Sequence, residues 1–214
     1  MSTSLPASPW HNPKSREEQR EEKRLAVLRT AARLFNEKGF HATSLDEVAE
    51  SLHVSKPTVY YYVKSKDEIL FECVRLGLEM VVRAADEVAQ AGGSARDKLI
   101  AVMREYAKIV TMDFGMCLIR VGEDPLPPES RAQLRSLKAK IDLQFRALVQ
   151  EGVTEGAFAA CDPKITAFGI AGALSWIGRW YDPHGPMSAD EIAERCIALL
   201  MNGLANRQDG DVQA

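Results

Sequence analysis

The stretch Thr43–Lys66, TSLDEVAESLHVSKPTVYYYVKSK, constrains the fold most strongly, because it reads as two short helices joined by a tight turn. Ser44, followed three residues later by Glu47, forms a capping box, the side-chain pattern that begins many helices. His53 stands where the chain needs a left-handed residue, a conformation that His tolerates better than most side chains. Between these points apolar residues recur at the spacing of one buried helix face: Leu45, Val48, Ala49 and Leu52.

A second short helix, Lys56–Val63, is predicted after the turn. Ser55 can cap it, and Pro57 can occupy its first turn, where the missing N–H is not needed. Val59 and Val63 lie four residues apart and face inward, so the other side chains spread over the outer surface. Consecutive helical residues are about 100° apart, so three tyrosines in a row cannot all be buried: Tyr60, Tyr61 and Tyr62.

Exposed tyrosines and lysines suit a helix-turn-helix that meets DNA. A tyrosine hydroxyl can donate to a phosphate oxygen, and its ring can pack on a thymine methyl group in the major groove. Lys56, Lys64 and Lys66 add positive charge on the same segment. The alternative interpretation is an aromatic patch that packs against a neighbouring helix. The helix-turn-helix spacing and the lysines together favour DNA binding.

About fifty residues resemble the DNA-binding domain of the tetracycline-repressor (TetR) family of bacterial regulators. The resemblance begins with a helix over Arg20–Lys38 and continues through motifs in unbroken order: Lys38-Gly39-Phe40, Ala42-Thr43-Ser44, Glu47-Val48-Ala49, Val54 to Val63, and Lys66-Asp67-Glu68-Ile69-Leu70. His53 and Val63 stand where the family more often has Gly and Phe. Neither change threatens the fold.

The resemblance implies a role for each matching position, with double-stranded operator DNA as the partner and no cofactor. Four residues match positions that usually hold phosphates: Ser44, Tyr60, Tyr62 and Lys66. Four others match positions that usually meet base edges or methyl groups: Lys56, Pro57, Thr58 and Tyr61. The chemistry agrees at Lys66, because Ser65-x-x-Glu68 caps the next helix, whose N-terminus and the ammonium can converge on one phosphate.

The charge distribution is compatible with this partner, although the chain of 214 residues has a net charge of −3. Residues 1–66 carry 11 Lys and Arg against 8 Asp and Glu, whereas the remainder carries 16 against 22. Positive potential is therefore local to the helix-turn-helix part. A non-specific architectural DNA-binding protein, the alternative function, would be basic over most of its length.

An enzyme is the opposing interpretation, and the sequence offers no motif for it. It contains no Gly-rich phosphate loop, G-x-S-x-G elbow or H-E-x-x-H, and its four histidines are scattered, so we expect no catalytic or metal site. No apolar run approaches the roughly 20 residues of a membrane span. We expect a cytoplasmic protein whose cysteines are buried thiols: Cys73, Cys117, Cys161 and Cys196.

Helical periodicity continues after Lys66 without a strand pattern, which predicts an all-α fold of about nine helices. Basic residues alternate with glutamates at the start of the first helix, which favours a solvated face over an arm that enters the minor groove. The last helix is expected to run to about Asn206. The predicted parts are a disordered arm (1–16), a three-helix helix-turn-helix domain (17–66), a helical ligand-binding and dimerisation domain (67–206) and a loose tail (207–214).

The predicted helix Lys164–Tyr181 is rich in small residues, which allow another backbone to approach closely. The family resemblance implies that the last two helices pair with their two-fold mates as a four-helix bundle, so we expect a homodimer. The alternative is a helix in the core of a monomer. The expected dimerisation residues are Gly169, Gly172, Ala173, Trp180, Cys196, Leu199 and Leu200.

The resemblance also implies a ligand pocket in the C-terminal part, and therefore a repressor that a small effector releases from a palindromic operator. Met and aromatic candidates favour an apolar effector. The stretches from Gly156 to Tyr181 and from Ala193 to Gly203 are similar to a subgroup linked to fatty-acyl or steroid-derived coenzyme A thioesters. The expected lining residues are Met103, Tyr106, Val110, Phe114, Met116, Phe145, Phe168 and Trp176.

Overall fold

The computed structural model describes residues 15–203, and in that range the chain forms nine α-helices and no β-strand. The predicted all-α fold is therefore confirmed. In chain order the helices are α1 (Arg16–Lys38), α2 (Leu45–Ser51), α3 (Lys56–Tyr62), α4 (Lys66–Gln90), α5 (Ala95–Val110), α6 (Asp113–Arg120), α7 (Pro128–Thr154), α8 (Pro163–Trp180) and α9 (Ala189–Asn202).

Side-chain caps begin most of these helices, and capping boxes start α2 and α9 at the predicted serines. Helix α1 begins at Arg16 rather than Arg20, because Ser15 and Glu18 form a further capping box. The predicted boundary of the arm was therefore too late by two residues. The rest of the predicted arm and the predicted tail lie outside the described residues.

Two other predicted details of the helix ends differ from the structure. Helix α9 ends at Asn202 rather than at about Asn206. The next residue, Gly203, ends the helix because it adopts a φ of 73°, a conformation that favours glycine. Ser55 occupies the N-cap position of α3 but makes no backbone cap. Its hydroxyl instead lies 2.8 Å from that of Thr58.

Helices α1–α3, here called the head, share one small core. Helix α1 packs against both α2 and α3, and α2 packs against α3. Thr43 is the buried polar residue of this region, and its hydroxyl lies 2.9 Å from the carbonyl oxygen of Gly39 and 3.3 Å from that of Leu34. The apolar core is formed by Val27, Leu28, Ala31, Ala32, Leu34, Phe35, Phe40, Leu45, Val48, Ala49, Val59 and Val63.

Helix α4 connects the head to helices α5–α9, here called the body. Its first half buries Ile69 and Cys73, and the Cys73 thiol lies 3.5 Å from the carbonyl oxygen of Leu28 in α1. Helix α4 also packs against α5, α6 and α7. At Gly77 a β-carbon would lie 3.1 Å from the carbonyl oxygen of Phe114, so glycine allows α6 to approach α4 closely.

The cysteines follow the prediction only in part. Cys73 and Cys117 are buried and Cys196 is partly buried, but Cys161 is exposed in the loop between α7 and α8, so the prediction of a buried thiol was wrong there. Between residues 15 and 203 no helix is long and apolar enough to cross a membrane. The same residues contain no group of three or more His, Cys, Asp or Glu side chains that could hold a metal ion.

Candidate functional site

The turn between α2 and α3 ends α2 with one residue in the left-handed conformation. His53 has a φ of 54°, as predicted from its position. Its N–H donates to the carbonyl oxygen of Glu50, and the N–H of Val54 donates to that of Ala49. These two bonds form a Schellman motif, which ends α2 and fixes the direction in which α3 leaves.

Helix α3 presents most of the predicted DNA-facing residues to solvent, because Val59 and the following Val63 are buried beneath it. Tyr61 is the most exposed of the three tyrosines, with 66% of its surface accessible, whereas Tyr62 is partly buried. Lys66 at the start of α4 is also partly buried. The exposed candidates are Ser44, Lys56, Pro57, Thr58, Tyr60 and Tyr61.

The ammonium group of Lys56 is paired with the carboxylate of Asp46, at a distance of 2.8 Å. The hydrogen bond to this carboxylate, together with its charge, raises the pKa of Lys56 above its ordinary value. Both side chains are more than half exposed, and such surface pairs contribute little stability. Lys56 can therefore leave Asp46 at small cost.

The sequence predicts a phosphate as the partner of the Lys66 ammonium group, but in the structure this group already has other partners. Its Nζ atom donates to the carbonyl oxygens of Phe40 at 2.8 Å and Thr43 at 3.1 Å, and lies 3.4 Å from that of His41. It also lies 4.5 Å from the centroid of the Phe40 ring. An ammonium group has three donors. In this structure they are directed into the α1–α2 loop, so Lys66 fastens α4 to that loop.

A cleft of about 400 Å³ separates the start of α1 from the end of α3. The guanidinium carbon of Arg20 lies 5.7 Å from the centroid of the Tyr61 ring across it. The charge pattern of the sequence favoured a solvated face for this part of α1 and indicated no partner for it. The cleft is lined by Arg16, Glu17, Gln19, Arg20, Lys23, Tyr61 and Tyr62.

The body contains a mostly apolar cavity of about 330 Å³ between α4, α5, α6, α7 and α8. This volume lies at the lower end of the range for small-molecule sites. Inside it the hydroxyl groups of Tyr106 and Ser175 lie 2.8 Å apart. The lining residues are Leu78, Tyr106, Leu118, Ile119, Lys138, Ile141, Asp142, Phe145, Ala167, Phe168, Ala171 and Ser175.

Tyr106 is held in place by its surroundings. Its ring packs edge-to-face on Phe145, with centroids 5.8 Å apart. Burial raises the pKa of Tyr106, and the hydrogen bond with Ser175 only partly offsets this effect. The tyrosine is therefore a neutral hydroxyl at physiological pH.

Charged residues lie at the edge of this cavity. Lys138 pairs with Glu123 at 2.7 Å, and Asp142 pairs with Arg146. The Arg146 guanidinium carbon lies 5.4 Å from the centroid of the Phe168 ring. The cavity therefore combines an apolar interior, one pair of hydroxyl groups and a charged edge.

Only part of the predicted lining set borders this cavity. Tyr106, Phe145 and Phe168 do so. Phe114 and Met116 instead line a separate cleft of about 460 Å³ at the junction of head and body. The prediction was wrong for Trp176, because it follows Ser175 by one residue and the helical rotation leaves 63% of its surface exposed. Met103 and Val110 are buried in the core and line neither space.

The outer face of α8 is exposed and apolar. Trp176 belongs to it, as do Ile165 and Phe168, which are 67% and 53% exposed. Of the predicted dimerisation residues, Cys196 and Leu200 of α9 are partly buried beside it, and the others are exposed: Gly169, Gly172, Ala173, Trp180 and Leu199. A β-carbon at Gly169 or Gly172 would meet no atom within 4 Å, so packing within this chain does not require glycine at either position.

Two helices connect the cavity to the head. Helices α4 and α6 contribute Leu78, Leu118 and Ile119 to the cavity lining, and both helices pack against α1. The side-chain amide of Asn36 in α1 donates to the carbonyl oxygen of Asp113, the first residue of α6, at 2.9 Å. A molecule in the cavity therefore touches the two helices that hold the head.

Two family models match this chain, one in its N-terminal part and one in its C-terminal part. Residues 27–73 match the model described as bacterial regulatory proteins, tetR family. Residues 92–204, more than half of the chain, match the model described as tetracyclin repressor-like, C-terminal domain. The first match contains the helix-turn-helix, and the second contains most of the cavity and the exposed face of α8.

Individual relatives resemble the chain over most of its length. The transcriptional repressor KstR2 of Mycolicibacterium smegmatis is 23% identical over 193 residues, which are 88% of this chain and 93% of KstR2. The crystal structure of PfmR, a TetR family transcriptional regulator from Thermus thermophilus, has 31% identity and a TM-score of 0.77, covering 84% of this chain and 99% of PfmR. AibR in complex with isovaleryl coenzyme A and operator DNA has 24% identity and a TM-score of 0.74, with coverages of 84% and 98%.

The contacts of Lys66 predict a stabilising role that does not depend on a partner. Lys66→Met should lower the melting temperature, because the carbonyl groups of Phe40 and Thr43 lose a charged donor, with a cost of about 1–3 kcal/mol in the free energy of unfolding. Thermal unfolding followed by circular dichroism measures the change. Lys64→Met, an exposed neighbour, is the matched control. Equal melting temperatures for both variants would contradict the proposed contact.

Proposed function

This chain belongs to the tetracycline-repressor family of bacterial regulatory proteins, and we propose that it is a ligand-responsive repressor. It binds a palindromic operator as a homodimer in the cytoplasm, and a small apolar or acyl-CoA-type effector releases it. The observation that carries the proposal is that α4 and α6 both line the cavity and both pack against the head. One pair of helices therefore connects the ligand site to the DNA-binding surface.

Helix α3 is proposed to enter the major groove of the operator. Lys56, Pro57, Thr58 and Tyr61 are all exposed and can approach base edges and methyl groups. Ser44 and Tyr60 flank them on the exposed surface and can donate to phosphates. We propose a phosphate contact for Tyr62 through its hydroxyl. For Lys66 we propose an indirect contribution, because its ammonium holds the loop that leads into Ser44 and α2.

The exposed face of α8 and α9 is proposed to bind a second copy of the chain. Large apolar side chains on this face would be covered, and the open space over Gly169 and Gly172 would admit a partner helix. A dimer also brings two α3 helices to two half-sites about one helical turn apart or a multiple of it. A symmetric partner and a palindromic operator are therefore parts of the same proposal.

The cavity is proposed to hold the acyl part of a coenzyme A thioester. Tyr106 and Ser175 have two hydroxyl protons, and the hydrogen bond between them uses one. The second proton can be donated to a thioester carbonyl oxygen in otherwise apolar surroundings. Lys138 and Arg146 at the edge can meet the phosphates of the coenzyme. The AibR structure, which holds isovaleryl coenzyme A together with operator DNA, supports this class of effector.

Loss of a base contact and loss of a phosphate contact should have different effects on operator affinity. We expect Lys56→Met to change base preference at one or two operator positions by about 1–3 kcal/mol. Tyr60→Phe, which loses only a hydroxyl, should weaken binding by a similar factor on every sequence. Operators are selected from a random duplex pool, and affinities are measured on single-base variants of the selected site. A uniform loss with Lys56→Met would contradict the placement of this residue.

The proposed dimer interface predicts that a charged side chain at Gly172 prevents dimerisation. Gly172→Glu should give monomers that bind the operator weakly, because a carboxylate and its stem would occupy the space of the partner helix. Sedimentation velocity at micromolar concentration measures the oligomeric state. Gly92→Glu is the control, since Gly92 also has open space but lies between α4 and α5. A fully dimeric Gly172→Glu protein would refute the interface.

Effector binding should change operator affinity roughly 5- to 150-fold, which corresponds to a coupling of about 1–3 kcal/mol. Titration of isovaleryl-CoA and longer acyl-CoAs, with and without operator, measures both directions of the coupling, which must agree. Tyr106→Phe combined with Ser175→Ala keeps the ring contact with Phe145 but removes both hydroxyl donors, so it should weaken acyl-CoA binding and leave operator affinity without ligand unchanged. If no acyl-CoA alters operator affinity, the proposed effector class is wrong.

A further inference from the structure

The first two turns of α1 form a basic face beside α3. Arg16, Arg20 and Lys23 follow the spacing i, i+4, i+7, which places them on one side of a helix. All three line the cleft against Tyr61 and Tyr62. This segment precedes residue 27, where the match to the family model of the DNA-binding region begins. The family match therefore gives no role to these residues.

Three of the four glutamates that alternate with these basic residues in the sequence do not line the cleft: Glu18, Glu21 and Glu22. Glu18 completes the capping box with Ser15. Glu21 lies 3.6 Å from Arg24, which in turn contacts Glu72 of α4. Glu17 is the acidic residue that lines the cleft. The balanced charge of the sequence is thus separated in space, and the cleft side of α1 carries three cations and one anion.

The contact of Arg20 with Tyr61, at 5.7 Å from the guanidinium carbon to the ring centroid, leaves the guanidinium able to bind an anion. A guanidinium group has five N–H donors, and a contact with one ring cannot use all of them. Arg20 and Tyr61 are both exposed. Arg20 can therefore keep its contact with Tyr61 and donate two N–H bonds to a phosphate at the same time.

The geometry of DNA decides which part of the duplex this face can meet. The major groove is about 12 Å wide, and a helix with its side chains is about 10–12 Å across. One helix therefore fills the groove, and a second helix beside it must lie over the sugar-phosphate backbone. We propose that Arg16, Arg20 and Lys23 bind backbone phosphates that flank the base pairs read by α3. This inference rests on the proposed DNA-binding function and extends the footprint of each head.

A charge-neutral variant of this face tests the proposal. Arg16→Gln, Arg20→Gln and Lys23→Gln are combined in the full-length protein, because glutamine is a good helix former and retains part of each stem. Affinity for an operator selected from a random duplex pool is measured over a range of salt concentrations. The slope of log affinity against log salt should fall in magnitude by about 0.9 for each phosphate that the variant no longer binds.

A shortened operator locates the contacts on the DNA. Removing the outermost base pairs should weaken binding by the wild-type protein but have little effect on the triple variant, which does not bind those phosphates. Glu17→Gln should change affinity in the opposite direction, since it removes the anion from the cleft. Arg83→Gln, Arg96→Gln and Arg135→Gln, combined at three exposed arginines outside the head, are the control that removes the same net charge. Circular dichroism melts verify that each variant is folded.

Failure of this inference and failure of the proposed function give different results. If the wild-type protein binds selected and random duplexes equally, the proposed function itself is wrong. If the wild type prefers the operator and the folded triple variant has the same salt slope and the same response to shortening, only the phosphate-binding face is wrong. A changed slope with an unchanged response to shortening would also overturn the proposal, because the contacts would then lie elsewhere than on the flanking phosphates.

Discussion

Burial of both halves of α4 is the constraint on which the arrangement of head and body depends. Ile69, Leu70, Cys73 and Val74 are buried in its first half, and Leu78, Val81, Val82 and Ala85 are buried in its second half. Neither group can leave its core without exposing apolar surface, at a cost of about 1.5–3 kcal/mol for each large side chain. The head therefore follows α4 as a rigid attachment, and the 25 residues of the helix span about 37 Å.

This constraint makes small movements in the body effective at the head. A tilt of α4 by about 5° displaces its far end by on the order of 3 Å, given its length. Such a displacement is comparable to a hydrogen-bond length, and two half-sites on DNA have a fixed spacing. Helix α6 adds a second point of control, because its close approach at Gly77 and the Asn36–Asp113 bond tie it to α4 and α1. A ligand with different affinity for the two tilts is sufficient to shift their populations.

The sequence predicted features that depend on local chemistry and missed those that depend on which elements meet. The Ser44 capping box and the left-handed His53 follow from neighbours a few residues away, so both predictions were confirmed. Lys66 meets carbonyl groups more than twenty residues distant, and Trp176 faces outward because α8 packs on α5 and α7 with its other side. The apolar character of a side chain predicts that it avoids water. Whether it lies in the core, in a cavity or on a face that binds a partner depends on how the helices are oriented.

Lys56 at the start of α3 and Lys66 at the start of α4 carry the same charge but differ in their contacts. Lys56 holds an exposed carboxylate, a pair that contributes about 0–1 kcal/mol, so transfer to DNA costs little. Lys66 is partly buried against carbonyl oxygens and an aromatic ring, and its removal would leave those acceptors without a donor. In the proposed complex with DNA, Lys56 moves to a base and Asp46 loses its cation. A carboxylate beside the duplex would be repelled by phosphates but could accept from the amino group of a base, so Asp46 would take part in base preference together with Lys56.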